Sequence, residues 1–111
     1  METTRQNKVA RLIQKDLSTI FQEETRKTRG VLVSVSAVRV SPDLSVAKAY
    51  LSIFPSERAE ELLKNINDQA SQIRFKLGTL ERHQLRVIPE LHFHLDDTID
   101  RMERIDQLLH Q

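Results

Sequence analysis

The stretch NDQASQIRFKLGTLERHQLRVIPEL, Asn67 to Leu91, decides how this chain folds. Ala70, Ile73, Leu77 and Leu80 recur at helical spacing, and Ala59, Leu62, Leu63 and Ile66 continue the same stripe backwards with no Pro or Gly between. Two helical patterns thus meet without a loop. Asn67-Asp68-Gln69 is polar and weakly helix-forming, so a bend can fall there. Gly78 lies inside the second pattern and weakens it by about 1 kcal/mol relative to alanine. Leu85-Arg86-Val87-Ile88-Pro89 then breaks the helix. The stretch reads either as a plain core helix or as a jointed pair that turns its arginines outward.

Upstream, Phe54-Pro55-Ser56-Glu57 ends a strand and starts the first of these helices, with Ser56 expected as its N-cap. The strand itself alternates Ala47, Ala49, Leu51 and Ile53 with Lys48, Tyr50 and Ser52. Before it, VLVSVSAVRV alternates through Val31, Val33 and Val35 and resumes out of phase at Val38 and Val40. That slip predicts a bulge near Ser36-Ala37. Ser41-Pro42-Asp43 supplies the turn, so the two strands form a hairpin with one buried face. The chain opens with Val9, Leu12, Ile13, Leu17, Ile20 and Phe21 at helical spacing, an amphipathic helix over roughly residues 4–24, followed by the basic connector Thr25 to Gly30.

Downstream, Leu91, Phe93 and Leu95 alternate with His92 and His94 as a third short strand. Asp96-Asp97-Thr98 caps a last helix with the stripe Ile99, Met102, Ile105, Leu108 and Leu109. The order α-β-β-α-α-β-α is an α+β pattern, with helices covering one face of a small three-stranded sheet. At 111 residues it is expected to be a single domain, residues 1–111, with a modest core.

Much chemistry is excluded. With only Gly30 and Gly78, the chain has no dinucleotide or phosphate-binding glycine loop. It has no G-x-S-x-G elbow and no cysteine, hence no disulfide and no thiolate nucleophile or metal ligand. Cysteine's absence is compatible with a reducing cytosol. No apolar run is long enough to span a bilayer, and the polar first fifteen residues contain no secretory leader. His92, His94 and Asp96 share one strand face and could ligate zinc, although the competing reading is a polar solvent face opposite Leu91, Phe93 and Leu95. The carboxylates Glu60-Glu61 and Asp96-Asp97 sit at helix starts, where they complement the helix dipole. Neither an enzyme nor a cofactor is expected.

The net charge of +1 conceals an asymmetry: residues 1–89 carry fifteen Lys/Arg against ten Asp/Glu, and residues 90–111 carry two against six. A basic body with an acidic last helix permits a polyanionic partner. Two clusters stand out. Arg5, Lys8, Arg11 and Lys15 occupy adjoining turns of the first helix, and Arg74, Lys76, Arg82 and Arg86 gather along the opening stretch. Phe75 falls roughly opposite the apolar stripe. It reads first as packed against a neighbouring helix, and otherwise as a platform for an unpaired base.

These residues resemble the ribosome-binding factor A family. The resemblance rests on R-x-x-K-V-A-R-L-I-Q-K-D-L (Arg5 to Leu17), V-S-A-V-R-V-S-P-D-L-S-V-A-K-A-Y-L-S (Val35 to Ser52), Ile73-Arg74, L-R-V-I-P-E-L-H-F-H-L-D (Leu85 to Asp96) and the closing R-I-D-Q-L-L. It implies a type II KH-like domain whose two central helices meet at a kink in place of the usual glycine loop. It also implies a cytoplasmic, monomeric, non-enzymatic factor that binds the small ribosomal subunit and 16S rRNA and assists late maturation, including at low growth temperature. RNA contact would run along the kink Gln69, Ala70 and Ser71 and the adjoining surface of Arg74, Lys76, Arg82 and Arg86, with Arg5, Lys8, Arg11 and Lys15 holding further phosphates. Where the family commonly has Ala-x-Gly at the kink, neither register of this chain supplies the glycine, and the bend is expected to be either shallower or held by Ser71. The alternative class is a protein-interaction module without direct RNA contact, docking through the acidic last helix or the sheet edge.

Overall fold

The computed structural model describes residues 4–96. The expected last helix, with its Asp97-Thr98 cap and apolar stripe, lies outside the described residues.

Helix α1 spans Thr4–Thr25 and buries Val9, Ala10, Ile13, Leu17, Ile20 and Phe21 on one side. Strands β1 (Leu32–Val40) and β2 (Val46–Phe54) follow, then a single 3-10 turn at Ser56–Arg58, α2 (Ala59–Asp68), α3 (Ala70–Glu81) and β3 (Glu90–Leu95). The sheet order is β1-β2-β3. β1 and β2 are antiparallel, whereas β3 runs parallel to β2, with Ala47 opposite Leu91 and Ala49 opposite Phe93. A parallel neighbour needs a crossover, and α2 with α3 supplies it. The result is an α+β fold with a mixed three-stranded sheet.

The core lies between the sheet and the helices. Val33, Val35, Val38 and Val40 of β1, Ala47, Ala49, Leu51 and Ile53 of β2, and Leu91 and Phe93 of β3 all point into it. The Phe21 and Phe93 rings meet edge to face at 5.7 Å. The register slips between Val35 and Ala37, where the broken alternation predicts it. A bulge interrupts the strand ladder, and here Gln14 of α1 donates its amide to the Val35 carbonyl at 3.2 Å. Gln6, also on the buried side of α1, donates to the Val40 carbonyl at 2.9 Å.

The β1–β2 turn is organised by one carboxylate. Asp43 Oδ1 accepts from Ser41 Oγ and Ser45 Oγ at 2.7 Å each and from the Ser45 N–H at 3.1 Å. These donors hold its acid at about 2, below the ordinary 3.8. Leu44 follows with φ 62°, a left-handed conformation that the surrounding hydrogen bonds impose.

Three expectations are corrected. Ser56 does not cap α2: it begins the 3-10 turn, and Arg58 occupies the cap position with no side-chain cap bond. The tight turn consumes three residues before the α-helix can start. Leu80 is 48% exposed, and the buried position at that end of α3 is taken by Glu81, one turn beyond Leu77. Phe75 is not packed against a neighbouring helix: it is 78% exposed. Among the described residues no helix is long and apolar enough to cross a membrane.

Candidate nucleic-acid interface

Helix α3 sorts its side chains onto three sides. Ile73 and Leu77 face the core. Ser71, Arg74, Phe75, Gly78, Thr79 and Arg82 line an open groove of about 480 Å³, closed on its far side by Ile88. A second groove, of about 620 Å³, shares Ser71, Arg74 and Ile88 and extends past Asn67 and Asp68 to Glu90 at the start of β3. Together they form one continuous channel from the helix joint along α3.

Arg74 is fixed within this channel. Its Nε donates to the carbonyls of Ile88 at 3.1 Å and Pro89 at 3.2 Å, and its Nη2 donates to Ile88 O at 2.6 Å. An arginine fork carries five N–H donors, so part of the guanidinium stays available to an anion while its position is set by the backbone. Arg82 ends α3, with its Nε 3.3 Å from His83 Nε2. Gly78 keeps the channel floor low, and the exposed Phe75 lines the same groove as both arginines.

Lys76 is placed elsewhere. Two residues from Arg74, it projects from the other side of α3 and forms an ion pair with Glu24 of α1. That contact, above all its hydrogen bond, lowers the Glu24 acid below its ordinary value. The pair sits on the rim of a cavity of about 280 Å³ floored by Phe21, Val33, Leu62, Ile66 and Ile73. Thr25, Thr28, Asn65, Gln69 and Gln72 also line it, but its one lining cation, Lys76, is paired with Glu24, so the arginine channel is the better candidate for a phosphate.

Of the cations on α1, Arg5 and Lys8 meet Arg86 across a groove of about 440 Å³ that also includes Gln84 and Leu85. Arg86 lies four residues after Arg82, so the chain leads directly from the end of the α3 channel into this second basic groove. Arg11 and Lys15 are exposed on the outward side of α1 and line neither groove. The structure therefore gathers Ser71, Arg74 and Arg82 in one place and Arg5, Lys8 and Arg86 in another. It separates Lys76, Arg11 and Lys15 from both.

The joint between α2 and α3 falls at Gln69, with φ −101° and ψ 13°. These angles are accessible to any L-residue, so no glycine is required. The Gln69 N–H bonds back to the carbonyls of Asn65 at 3.2 Å and Ile66 at 3.1 Å, and Ile73 N–H reaches Gln69 O at 3.0 Å. Ala70 already begins α3, and Ser71 is exposed in the channel rather than at the joint itself.

Between α1 and α3 lies a feature that sequence reasoning missed. Glu81 is fully buried, and neither carboxylate oxygen has a hydrogen-bond donor. Burial, reinforced by Asp16 across from it on α1, raises its acid to about 8. A protonated Glu81 can donate to Asp16, which an ionised one cannot. No local pattern announces this, because Asp16 and Glu81 are 65 residues apart in sequence.

On the sheet, His92 Nε2 lies 3.6 Å from Glu90 Oε1, and the His94 ring packs against Tyr50 with centroids 5.7 Å apart. Among the described residues no three His, Asp or Glu side chains cluster as a metal site. The zinc reading of His92, His94 and Asp96 gains no support.

A family model described as ribosome-binding factor A matches residues 5–109. The ribosome-binding factor A of Christiangramia forsetii is 48% identical over 108 residues, covering 96% of this chain and 82% of that protein. The crystal structure of ribosome-binding factor A from Thermus thermophilus shares the fold with a TM-score of 0.64 at 23% identity, covering 81% of this chain and 94% of that one. A homology model of the Thermus thermophilus factor, as fitted into the cryo-electron-microscopy map of a 30S complex, matches with a TM-score of 0.59 at 26% identity, over 78% and 89% of the two chains. With a family model spanning nearly all of the chain and a relative close to half identical, the chain belongs to the ribosome-binding factor A family.

Proposed function

We propose that this chain binds the small ribosomal subunit and assists late 16S rRNA maturation as a non-catalytic, cytoplasmic, monomeric single-domain factor. The related Thermus thermophilus factor is fitted into a 30S complex, and the same partner is taken for this chain. RNA contact would run along the α3 channel. Arg74 and Arg82 would hold phosphates, Phe75 would stack on an unpaired base, and Ser71 would add a hydroxyl. Arg5, Lys8 and Arg86 would extend the electrostatic contact beyond the end of α3. Lys76, paired with Glu24, and Arg11 and Lys15, outside both grooves, contribute at longer range.

The observation that carries this reading is the exposed Phe75 ring lining one open groove together with Arg74 and Arg82. Base stacking on such a ring contributes about 1–3 kcal/mol. Each phosphate contact releases counterions, so affinity should fall steeply with salt.

Arg74 is a poor residue to reverse, because it also holds the Ile88 and Pro89 carbonyls. The informative variant is Phe75→Ala combined with Arg82→Glu, both at exposed sites. Co-sedimentation with immature small subunits should drop at least tenfold, with a shallower salt dependence and an unchanged circular dichroism spectrum. Undiminished, salt-insensitive binding would instead identify a protein-interaction module and overturn the RNA reading.

A further inference from the structure

The joint between α2 and α3 carries no glycine, and its one non-helical residue, Gln69, is of a type that adopts its angles without constraint. Backbone hydrogen bonds from Gln69 to Asn65 and Ile66 and from Ile73 to Gln69 cross the joint, and two side chains add further ties, one on each arm. On α2, the Asn67 amide donates from Nδ2 to the Phe93 carbonyl at 3.1 Å and accepts the Phe93 N–H on Oδ1 at 3.1 Å. This pair of bonds copies the way a neighbouring strand would dock on β3, an outer strand of the described sheet. On α3, the Arg74 fork grips the carbonyls of Ile88 and Pro89.

Residues 88–93 are one continuous piece of chain, and from Glu90 onward that piece is held in register against β2. The two arms of the joint are therefore tied at separate points to the same rail. With both ties made, the angle at Gln69 is over-determined, and so is the position of Ser71, Arg74 and Phe75 relative to Ile88 across the channel. Asn67 itself lines the channel where it reaches β3. Its Oδ1 and one of its two Nδ2 hydrogens are engaged by the Phe93 backbone.

We infer that Asn67 is a positioning residue for the RNA-binding channel: its two-point attachment to Phe93 sets the bend that presents Ser71, Arg74 and Phe75 as one surface. This rests on the RNA reading of that channel. Preorganisation of this kind strengthens binding by removing the cost of ordering the site at encounter.

The test is a double-mutant cycle in the full chain, pairing Asn67→Ala with the groove variant Phe75→Ala/Arg82→Glu. Readouts are small-subunit co-sedimentation, urea unfolding and hydrogen exchange of the Phe93 amide. Asn67→Ala alone should leave the chain folded, release the Phe93 amide to exchange, and weaken binding about tenfold. In the groove variant, where the surface to be positioned is already lost, Asn67→Ala should have little further effect on binding. If instead Asn67→Ala weakens binding equally in both backgrounds, or leaves it unchanged while the Phe93 amide exchanges freely, the positioning role is refuted. If the groove variant alone binds normally, it is the RNA reading that fails. Asn67→Asp serves should the alanine variant unfold. It keeps the acceptor for Phe93 N–H but sets a carboxylate against the Phe93 carbonyl, and the same non-additivity must appear.

Discussion

Replacing Glu81 by glutamine changes a single proton-binding group in the contact between α1 and α3. In the unfolded chain this acid titrates near its ordinary 4.5; in the folded chain burial and Asp16 raise it to about 8. The folded state thus holds the proton more tightly, so ionisation opposes folding. The contribution of Glu81 to stability is greatest below pH 4.5, declines as pH rises from there to about 8, and levels off above. At roughly 1.36 kcal/mol per pH unit, the cost at pH 7 is about 3 kcal/mol, a large part of the roughly 5–15 kcal/mol of a typical domain. Glutamine keeps the shape, cannot ionise, and still donates to Asp16 from its amide. Glu81→Gln should therefore be more stable than the parent by about 3 kcal/mol at pH 7, with the difference vanishing near pH 4. Urea unfolding at pH 4.5, 6, 7 and 8, followed by circular dichroism, measures this. Parallel stability profiles of the two proteins across that range would refute a buried, protonated Glu81.

The β1–β2 turn should respond to acid in the opposite direction. Asp43 titrates lower in the folded turn, at about 2, than its ordinary 3.8, so its contribution is present above pH 3.8 and lost as pH falls through 2. The Ser45 amide resonance should move over that window in the parent and stay still in Asp43→Ala; an identical titration in both would discount the turn network. In the core, Leu77 is fully buried, and Leu77→Ala should cost about 2–5 kcal/mol in urea unfolding. A loss below about 1 kcal/mol would show that α3 is not packed as described.

What the sequence discloses is local, and what it conceals depends on distant neighbours. The extent of α1, the bulge at Val35 and the edges of the hairpin could all be read because the signals are periodicity and a broken period within a dozen residues. The joint near Gln69 could be bracketed from weak helix formers, but not the ties that fix it, since Asn67 meets Phe93 26 residues later. Lys76 appears as a free cation beside Arg74 until the fold brings Glu24 to it from 52 residues away. Leu80 and Glu81 exchange their expected roles for the same reason. Hydropathy favours burying leucine, but the packing of α3 against α1 selects the position one turn after Leu77. Phe75 could be placed off the apolar stripe by counting, yet only the tertiary arrangement shows that nothing among the described residues covers it. The glutamines of α1 illustrate the converse. As polar residues they look like surface, although Gln6 is buried against a strand carbonyl.

The parallel pairing of β3 with β2 has a consequence for synthesis. α1, β1 and β2 are consecutive and can associate as soon as residue 54 has emerged, since their contacts close only short loops. β3 must wait for the whole crossover and is added last, at the far edge of the sheet. The carbonyls that seat Arg74 and the strand edge that anchors Asn67 both belong to that late-arriving segment. A nascent chain therefore carries Asn67 and Arg74 before it has the segment that holds them, and the channel along α3 takes its shape only with completion of the sheet.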